Sequence, residues 1–271
     1  MHGLGNDFIL LNNLNPSDYD LGKLAVKLCH RQLGIGADGI VLVLPSDKAD
    51  IRMRIVNSDG SEPNMCGNAI RCFAKYVYEN KIITKKQFSI ETFAGVIIPE
   101  LITDQGNVTE VSVNMGKPGL ERNDIPMTGR PGFVINEPLP VGNETFFVTS
   151  MLMNIPHTMV FVDNIEEIDI VGIGRQIEKH PNFPKGTNVN FVQVINEKEV
   201  KMRTWERGAG YTLACGTGSC ATGVAAFLNK KTGRKVIVHL ALGDLTIEWK
   251  DDNNVYMTGP AETVFAGQIN I

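Results

Sequence analysis

Two cysteines, each followed by a glycine at the start of a helix-like stretch, are the residues of this sequence best suited to chemistry. Cys66 stands in Asn-Met-Cys-Gly-Asn-Ala-Ile-Arg and Cys215 in Leu-Ala-Cys-Gly-Thr-Gly-Ser, with Asn68 and Thr217 at positions suited to cap the helices. A thiol there lies beside backbone N–H groups that lack intrahelical partners, at the positive end of the helix dipole. We therefore expect both thiols to ionise easily, with a pKa below the usual value of roughly 8.5.

The elements that must position these thiols form two similar series. The two cysteines are 149 positions apart (215 − 66 = 149). Hydrophobic periodicity predicts strands at 8–11, 40–44, 51–56, 89–92, 95–101 and 108–114 and helices at 20–31 and 67–80 in the first half. In the second half it predicts strands at 145–150, 158–162, 190–195, 200–205, 235–240, 245–249 and 255–258 and helices at 165–179 and 221–231. The helix after Cys66 is apolar nearly all round, so strands should wrap around it. The pattern predicts a duplicated α/β unit.

A stretch rich in glycine and proline, residues 116–140, separates the two series. Such composition is typical of a domain crossing. We therefore place one domain at 1–115 and a second at 116–258. The sequence Gly34-Ile-Gly-Ala-Asp-Gly39 matches a dinucleotide fingerprint, but a helix precedes it and a strand follows, so we interpret it as a glycine turn.

Composition excludes several classes of protein. The chain has 271 residues, 43% of them hydrophobic and 21% charged, and a net charge of −4, so it lacks the basic surface that binds nucleic acid or anionic membranes. Its longest apolar runs are far too short to span a bilayer, and no signal peptide is visible. Five cysteines, an odd number, favour reduced thiols in a cytoplasmic protein over disulfides. No metal-binding motif occurs, so we expect no metal.

Few reactions require two equivalent thiols. A thiol–disulfide redox pair is one. A thiol protease or transferase needs only one cysteine, with a histidine and an oxyanion donor, and would leave the second Cys-Gly helix start unexplained. Racemisation or epimerisation removes a proton from one face of a carbon and returns one to the opposite face, which takes two acid/base groups. The residues alone favour racemisation or epimerisation, with the redox pair next.

Seven motifs, in order along the whole chain, resemble diaminopimelate epimerases. They are residues 1–8, 34–39, 57–61, 65–69, 186–191, 206–208 and 214–218. Any one motif is weak, but their combination is specific. The resemblance implies an α+β fold of two similar, pseudo-twofold-related domains, each a strongly curved, mostly antiparallel sheet around a central helix, with the active site in the cleft between them. It also implies that residues 259–271 return to the first domain.

The resemblance implies interconversion of LL- and meso-2,6-diaminopimelate without a cofactor, in lysine and peptidoglycan-precursor synthesis. Cys66 and Cys215 would be the acid/base pair, and His157 and Glu206 would assist the proton transfer by holding the reacting amino group. Arg207 would pair with the distal carboxylate. The other substrate-binding residues would be Asn6, Asn57, Gly67, Asn68, Asn188, Gly216 and Thr217, with Glu206 contributing as well. The only partners expected are this small substrate and a second copy of the chain in a homodimer.

The sequence departs from the family pattern at one position near the substrate. Where the family commonly has Gly-Asn-Pro-His, this chain has Asn154-Ile155-Pro156-His157, so a substrate-binding asparagine is replaced by Ile155. One lost hydrogen bond is worth about 1–3 kcal/mol if it leaves a polar group unpaired. An amino-acid racemase or epimerase with a different substrate is therefore the alternative within the class, and the thiol–disulfide protein is the alternative outside it.

Overall fold

Helices cover buried strands in two compact units of this chain, which a computed structural model describes over residues 1–271. The first unit comprises Met1–Asn114 with Thr258–Ile271, and the second comprises Met115–Met257. None of the helices is long and apolar enough to cross a membrane.

The first unit is a mixed sheet with a helix on each face. Its elements are β1 (His2–Gly3), β2 (Asn6–Leu11), α1 (Leu21–Cys29), β3 (Gly39–Leu44), β4 (Ile51–Asn57), α2 (Gly67–Glu79), β5 (Ile90–Thr92), β6 (Gly95–Ile97), β7 (Glu100–Asp104) and β8 (Asn107–Asn114). Strands β1 to β6 form one sheet in chain order, and β7 pairs with β8 in a hairpin. Strand β3 is buried along its whole length, because α1 packs on one face of the sheet and α2 on the other.

The second unit has the same layers. Its elements are β9 (Val134–Val141), β10 (Glu144–Met153), β11 (Ile155–Phe161), α3 (Ile170–Glu178), β12 (Asn188–Asn196), β13 (Glu199–Glu206), β14 (Gly210–Thr212), α4 (Gly216–Leu228), β15 (Lys235–Leu240), β16 (Gly243–Trp249) and β17 (Val255–Gly259), whose last two residues belong to the first unit. The strand order is β17-β16-β15-β13-β12-β11-β10-β9, and β14 pairs with β13. Helix α4 packs on one face of this sheet and α3 on the other.

The two units repeat each other at a constant shift of 149 positions. This shift carries α1 onto α3, nine residues each, and α2 onto α4, thirteen residues each. It also conserves strand register, because Phe8 lies opposite Gly39 in a parallel pair and His157 lies opposite Asn188 in the equivalent pair. The duplicated α+β architecture expected from the sequence is confirmed.

The ends of α2 and α4 show how closely the repeat is kept. Cys66 and Cys215 are the residues before the first helical turn, both with extended backbone. At the other end, the amide Nδ2 atoms of Asn80 and Asn229 donate to carbonyls four residues earlier, at 2.9 and 2.8 Å. The cysteines therefore occupy the capping positions, whereas Asn68 and Thr217, predicted as caps, lie inside the first turn. That prediction was wrong because both cysteines, not their successors, adopt the non-helical backbone that a cap requires.

Several predicted boundaries also shift. Residues 134–141, predicted as part of the crossing between domains, form strand β9 despite two prolines, because β9 lies at the edge of its sheet. The strand predicted at 95–101 is broken at Pro99 into β6 and β7. Helix α3 begins at Ile170, five residues later than predicted, because Asp169 caps it by accepting a hydrogen bond from Gly172 N. Helix α4 begins at Gly216, not at residue 221, since the glycines of its first turn follow the Cys215 cap.

Candidate active site

The Cys66 thiol is half-buried in the first unit and lies beside an amide oxygen. Its Sγ donates a hydrogen bond to Asn6 Oδ1, 3.7 Å away, and no capping hydrogen bond links the sulfur to α2. The same oxygen accepts a second hydrogen bond from Asn68 Nδ2 at 3.1 Å. A carbonyl oxygen only accepts hydrogen bonds, so this contact favours the protonated form of Cys66.

Charged groups fix the orientation of the Asn6 side chain. Its Nδ2 donates to Asp38 Oδ2 at 2.8 Å, which leaves Oδ1 for the thiol. Arg31 pairs with Asp38 Oδ1 at 3.0 Å and with both carboxylate oxygens of Asp7. The glycine turn at 34–39, which the dinucleotide fingerprint resembled, follows α1 and precedes β3 as predicted, and it carries Asp38 to this network.

The remaining predicted residues of the first unit lie at the start of α2 and at the end of β4. Gly67, the first residue of α2, is buried. Asn57 ends β4 and closes a turn, with its Nδ2 donating to Ser61 Oγ at 3.0 Å and its backbone N–H donating to Ser61 O at 2.8 Å. Cys72, six positions beyond Cys66, is a fully buried core residue, and burial raises its pKa to about 12.

The Cys215 thiol of the second unit has a different environment, because it faces hydrogen-bond donors. The side chain is 5% exposed, and its Sγ accepts from Gly218 N at 3.4 Å and contacts Thr217 Oγ1 at 3.6 Å. A Cβ atom on Gly218 would lie 3.2 Å from this sulfur and 2.6 Å from Asn190 Oδ1. Glycine is therefore required at 218 for the helix start to approach both groups.

Glu206 opposes ionisation of Cys215. Burial first, and then the negative charge of Glu206, raise the pKa of the Cys215 thiol well above its usual range, outweighing the donors at Thr217 and Gly218. The carboxylate is held by Thr212 Oγ1, which donates to Oε1 at 2.5 Å. The expectation that the helix start lowers this pKa was wrong, because burial removes the water that would solvate the thiolate.

His157 lies on β11 and is fully buried. Its Nε2 is 3.0 Å from Thr217 Oγ1, and its Nδ1 is 3.2 Å from Asn190 Nδ2. Burial, and then the charge of Arg207, lower its pKa to about 3, so the ring is neutral at physiological pH. Both ring nitrogens contact protein groups, and the Nε2 contact joins His157 to the first turn of α4. Its role in holding the substrate's amino group stays a prediction.

Asn188 and Arg207 are joined through the backbone. Asn188 Oδ1 accepts from Arg207 N at 2.8 Å, whereas Asn188 Nδ2 is buried without a hydrogen-bond partner. The exposed Arg207 side chain donates from Nη1 to Lys185 O at 2.6 Å. Gly186 has a φ of 69°, and a Cβ there would lie 2.9 Å from Arg207 Cδ, so this glycine lets the arginine pass closely.

Sequence reasoning missed four residues that support this second site. Glu178 anchors the turn after Glu206, because its carboxylate accepts from Trp205 Nε1 at 2.7 Å and from Gly208 N at 3.2 Å. Thr204 Oγ1 donates to Asn190 Oδ1 at 3.0 Å, and Thr212 holds Glu206. The available signal was a polar residue inside an apolar strand, as at Asn190 in Asn-Val-Asn-Phe-Val.

Six of the twelve predicted site residues lie at the two thiol-bearing helix starts, and Asn6, His157 and Glu206 contact those starts directly. The other three, Asn57, Asn188 and Arg207, hydrogen-bond to other groups. Gly216 and Thr217 form the first turn of α4, as Gly67 and Asn68 form that of α2. No group of three or more His, Cys, Asp or Glu side chains is placed to hold a metal ion.

Solved structures with this fold include a probable proline racemase from Agrobacterium radiobacter K84, with a TM-score of 0.66 and 15% identity, covering 96% of this chain and 83% of that one. A hydroxyproline epimerase from Agrobacterium vitis has a TM-score of 0.64 and 16% identity, covering 96% and 87%. A phenazine biosynthesis protein of the PhzF family from Enterococcus faecalis has a TM-score of 0.67 and 12% identity, covering 97% and 92%. The fold class is that of the proline racemase and PhzF-like proteins.

Sequence comparison is more specific. The model of the diaminopimelate epimerase family matches residues 1–121 and 149–264. The chain is 55% identical to a diaminopimelate epimerase of Heliobacterium modesticaldum over 274 residues, covering 99% of this chain and 98% of the relative. It is 54% identical to one of Pelotomaculum thermopropionicum over 271 residues, covering 98% and 96%. This chain belongs to the diaminopimelate epimerase family.

Proposed function

We propose that the protein interconverts LL- and meso-2,6-diaminopimelate by a two-base mechanism without a cofactor, in the cytoplasm, for lysine and peptidoglycan-precursor synthesis. Membership of the family supports the substrate. The observation that carries the mechanism is the presence of two reduced thiols, Cys66 and Cys215, at equivalent helix starts of a duplicated fold. The homodimer implied by the resemblance belongs to the same proposal.

The chemistry requires one thiolate and one thiol at a time. The thiolate takes the proton from the α-carbon, and the electron pair of the broken C–H bond remains on the substrate as a carbanion conjugated with the α-carboxylate. The other thiol then protonates the carbon from the opposite face. Because the two thiols exchange protonation states in each turnover, the same pair serves both directions.

No pyridine ring is available in this scheme to delocalise the carbanion, so the protein must stabilise charge on the carboxylate. We assign this role to the backbone N–H groups at the helix starts, from Gly67 and Asn68 in α2 and from Gly216 and Thr217 in α4. Such groups lack intrahelical partners and lie at the positive ends of the helix dipoles, which suits an anion.

Selection of a substrate with a second carboxylate falls to Arg207 and Asn188. The guanidinium can bind a carboxylate with two parallel hydrogen bonds. The buried Asn188 Nδ2 atom, which lacks a partner, supplies a further donor, and burial of an unsatisfied donor costs about 1–3 kcal/mol until a ligand accepts from it. Asn6 and Asn57 complete the set of polar groups in the first unit.

Glu206 couples binding of the substrate to ionisation of Cys215. Its negative charge raises the pKa of the thiol. A substrate ammonium bound to Glu206 would offset that charge, so the thiolate would be stabilised when the reacting amino acid is present. Substrate binding would thereby favour the thiolate form of Cys215, which is the base.

The test is incubation of the reduced protein with LL-diaminopimelate in D₂O, with proton NMR of the α-carbons and a parallel assay for the meso isomer. Deuterium entering at one centre while meso product forms is the expected result. Absence of exchange with this substrate, combined with exchange on a monocarboxylic amino acid, would favour the altered specificity suggested by Ile155. Absence of exchange on every amino acid, with turnover of a dithiol, would favour the redox alternative.

A further inference from the structure

We propose that Asn190 and Thr204 are positioning residues that hold His157 in the tautomer whose Nε2–H points at Thr217, so that the Thr217 hydroxyl proton is directed at Cys215. This inference deepens the proposed function, on which it rests for its catalytic consequence. The juxtaposition itself is a hydrogen-bonded series, Thr204–Asn190–His157–Thr217–Cys215, which joins β13, β12, β11 and α4.

The tautomer follows from which atoms can donate. An amide nitrogen donates and never accepts, so the 3.2 Å contact between Asn190 Nδ2 and His157 Nδ1 makes Nδ1 the acceptor. The ring is neutral, so its one N–H is at Nε2 and donates to Thr217 Oγ1 at 3.0 Å. The hydroxyl proton of Thr217 is then left to donate to the Cys215 sulfur at 3.6 Å.

The orientation of the Asn190 amide is set by two further contacts. Thr204 Oγ1 donates to Oδ1 at 3.0 Å. On the other side, Nδ2 is 3.7 Å from Met159 Sδ, which is a weak acceptor and cannot donate. The amide turned by 180° would place an acceptor against the thioether and reverse the tautomer of His157. Thr217 would then donate to His157 Nε2 instead of to Cys215.

The fold itself does not require these polar groups. At the shift of 149 positions, His157, Asn190 and Thr204 correspond to Phe8, Val41 and Ile55, which are buried and apolar in the first unit. Strand register agrees, because Val41 lies opposite Ile55 just as Asn190 lies opposite Thr204.

Val41 and Ile55 are 0% and 3% exposed, and Asn190 and Thr204 are 0% and 2% exposed. The same positions of the same architecture are thus filled with hydrocarbon in one unit and with a hydrogen-bonded network in the other. Buried polar groups destabilise a core unless they are satisfied, so their presence only beside Cys215 points to a role in controlling that thiol.

The charged groups that face this series are Glu206, which raises the pKa of Cys215, and Arg207, which lowers that of His157. Glu206 is the last residue of β13 and Arg207 follows it, and neither is replaced in variants at Asn190 and Thr204. The Thr217 contact favours the thiolate of Cys215. A hydrogen bond to a charged group is stronger than one between neutral groups, so its loss should reduce thiolate formation about tenfold or more.

The decisive variant is Asn190→Val combined with Thr204→Ile, which gives the second unit the residues of the first. We expect it to fold, to shift the pH dependence of Cys215 alkylation by iodoacetamide upward by about one pH unit, and to lower kcat/KM about tenfold with little change in KM. Thr204→Val, which replaces the hydroxyl with a methyl group of similar size, should shift the pH dependence of alkylation in the same direction by less. The matched control is Thr222→Val, because Thr222 is a buried threonine of α4 whose hydroxyl contacts only Met202 Sδ and takes no part in the series.

The tautomer is measured directly, without substrate, by ¹⁵N NMR of ring-labelled histidines, with the His157 signals assigned by their loss in His157→Phe. We expect a protonated Nε2 and an unprotonated Nδ1 in the unsubstituted protein, and a mixture of tautomers in the double variant.

Protonation at Nδ1 in the unsubstituted protein would overturn the proposal. An unchanged alkylation profile in the folded double variant would overturn it as well, and if that variant does not fold, an unchanged profile in Thr204→Val has the same meaning. Alkylation and NMR require no turnover, so they remain decisive if epimerase activity is absent.

Discussion

The starts of α2 and α4 have the same backbone but different chemistry. At both, a cysteine with extended backbone caps a thirteen-residue helix that is packed on a sheet. Cys66 is half-buried and donates to a neutral amide oxygen, whereas Cys215 is buried, accepts from a backbone N–H and lies beside Glu206. The comparison shows that duplication supplied two thiols at matching positions, and that divergence of their neighbours made them unequal.

The divergence concerns a small set of positions. At the shift of 149, Asn57 corresponds to Glu206, Asn68 to Thr217 and Phe8 to His157. Two amides and a phenyl ring of the first unit are thus replaced by a carboxylate, a hydroxyl and an imidazole in the second. A reaction that needs one acid and one base at a time benefits from two thiols whose ionisation is controlled separately.

The largest expected effect is loss of either thiol. Cys66→Ala and Cys215→Ala should each reduce epimerisation by about 10²- to 10⁴-fold, because each direction needs both an acid and a base and each variant removes one of them. The measurement is the rate of isomer formation, followed by chiral chromatography. Cys72→Ala, which removes a buried core thiol of α2, is the control and should stay active. If one of the two alanine variants kept near-normal turnover, the proposed equivalence of the two sites would be broken.

Arg207 has no charged counterpart in the first unit, because the residue at the shift of 149 is Ser58. We therefore expect Arg207 to act at only one of the two ends of the substrate. Arg207→Ala should raise KM for diaminopimelate by about 10- to 100-fold, or about 1.4–2.8 kcal/mol, with a smaller change in kcat. Steady-state kinetics with the half-buried Arg203→Ala as control provides the measurement. An equal loss with monocarboxylic amino acids would contradict a role at the distal carboxylate.

Alkylation of the two thiols should differ in rate and in pH dependence. Iodoacetamide should modify the half-buried Cys66 at least about tenfold faster than Cys215, whose pKa is raised by burial and by Glu206. Glu206→Gln removes the negative charge and should lower the pKa of Cys215, so that its alkylation moves to lower pH by about one unit. Peptide mass spectrometry after a timed quench distinguishes the two sites. Equal rates in the unsubstituted protein would contradict the contrast between them.

The smallest effect is on stability in mild acid. The pKa of His157 is lowered from 6.5 to about 3 by burial and by Arg207. The unfolded chain therefore binds the proton first, so stability is fully present above about pH 6.5 and falls as the pH decreases towards 3. His157 alone should lower the free energy of unfolding by about 1 kcal/mol between pH 7 and pH 5.5.

His157→Phe, which installs the residue found at the equivalent position 8, should remove that increment. Urea unfolding at the two pH values measures it, and the difference between the two proteins cancels the contribution of the carboxylates. An identical acid dependence of the two proteins would contradict the lowered pKa, because it would show that folding leaves the pKa of His157 unchanged.

Much of the fold and of the site follows from local sequence signals. The family, the duplicated α+β class and the place of α2 after Cys66 were predicted and are confirmed. Those predictions rest on the spacing of apolar residues and on short motifs, which act within a few residues. Strand β9 was missed because its prolines normally exclude a strand, and only its place at the sheet edge removes the need for their missing N–H groups. The assignment of roles to the individual site residues stays a prediction.

The sequence by itself determined that two Cys-Gly helix starts occur 149 positions apart in a repeated series of strands and helices. Only the tertiary structure decided that Cys215 is buried against Glu206, so that its pKa rises where the helix start alone would lower it. It also decided that His157 reaches Thr217 and Asn190, which are 60 and 33 positions away along the chain. The physical reason is that helix capping depends on adjacent residues, whereas desolvation, charge and hydrogen bonding at a buried thiol depend on whichever strands are packed around it.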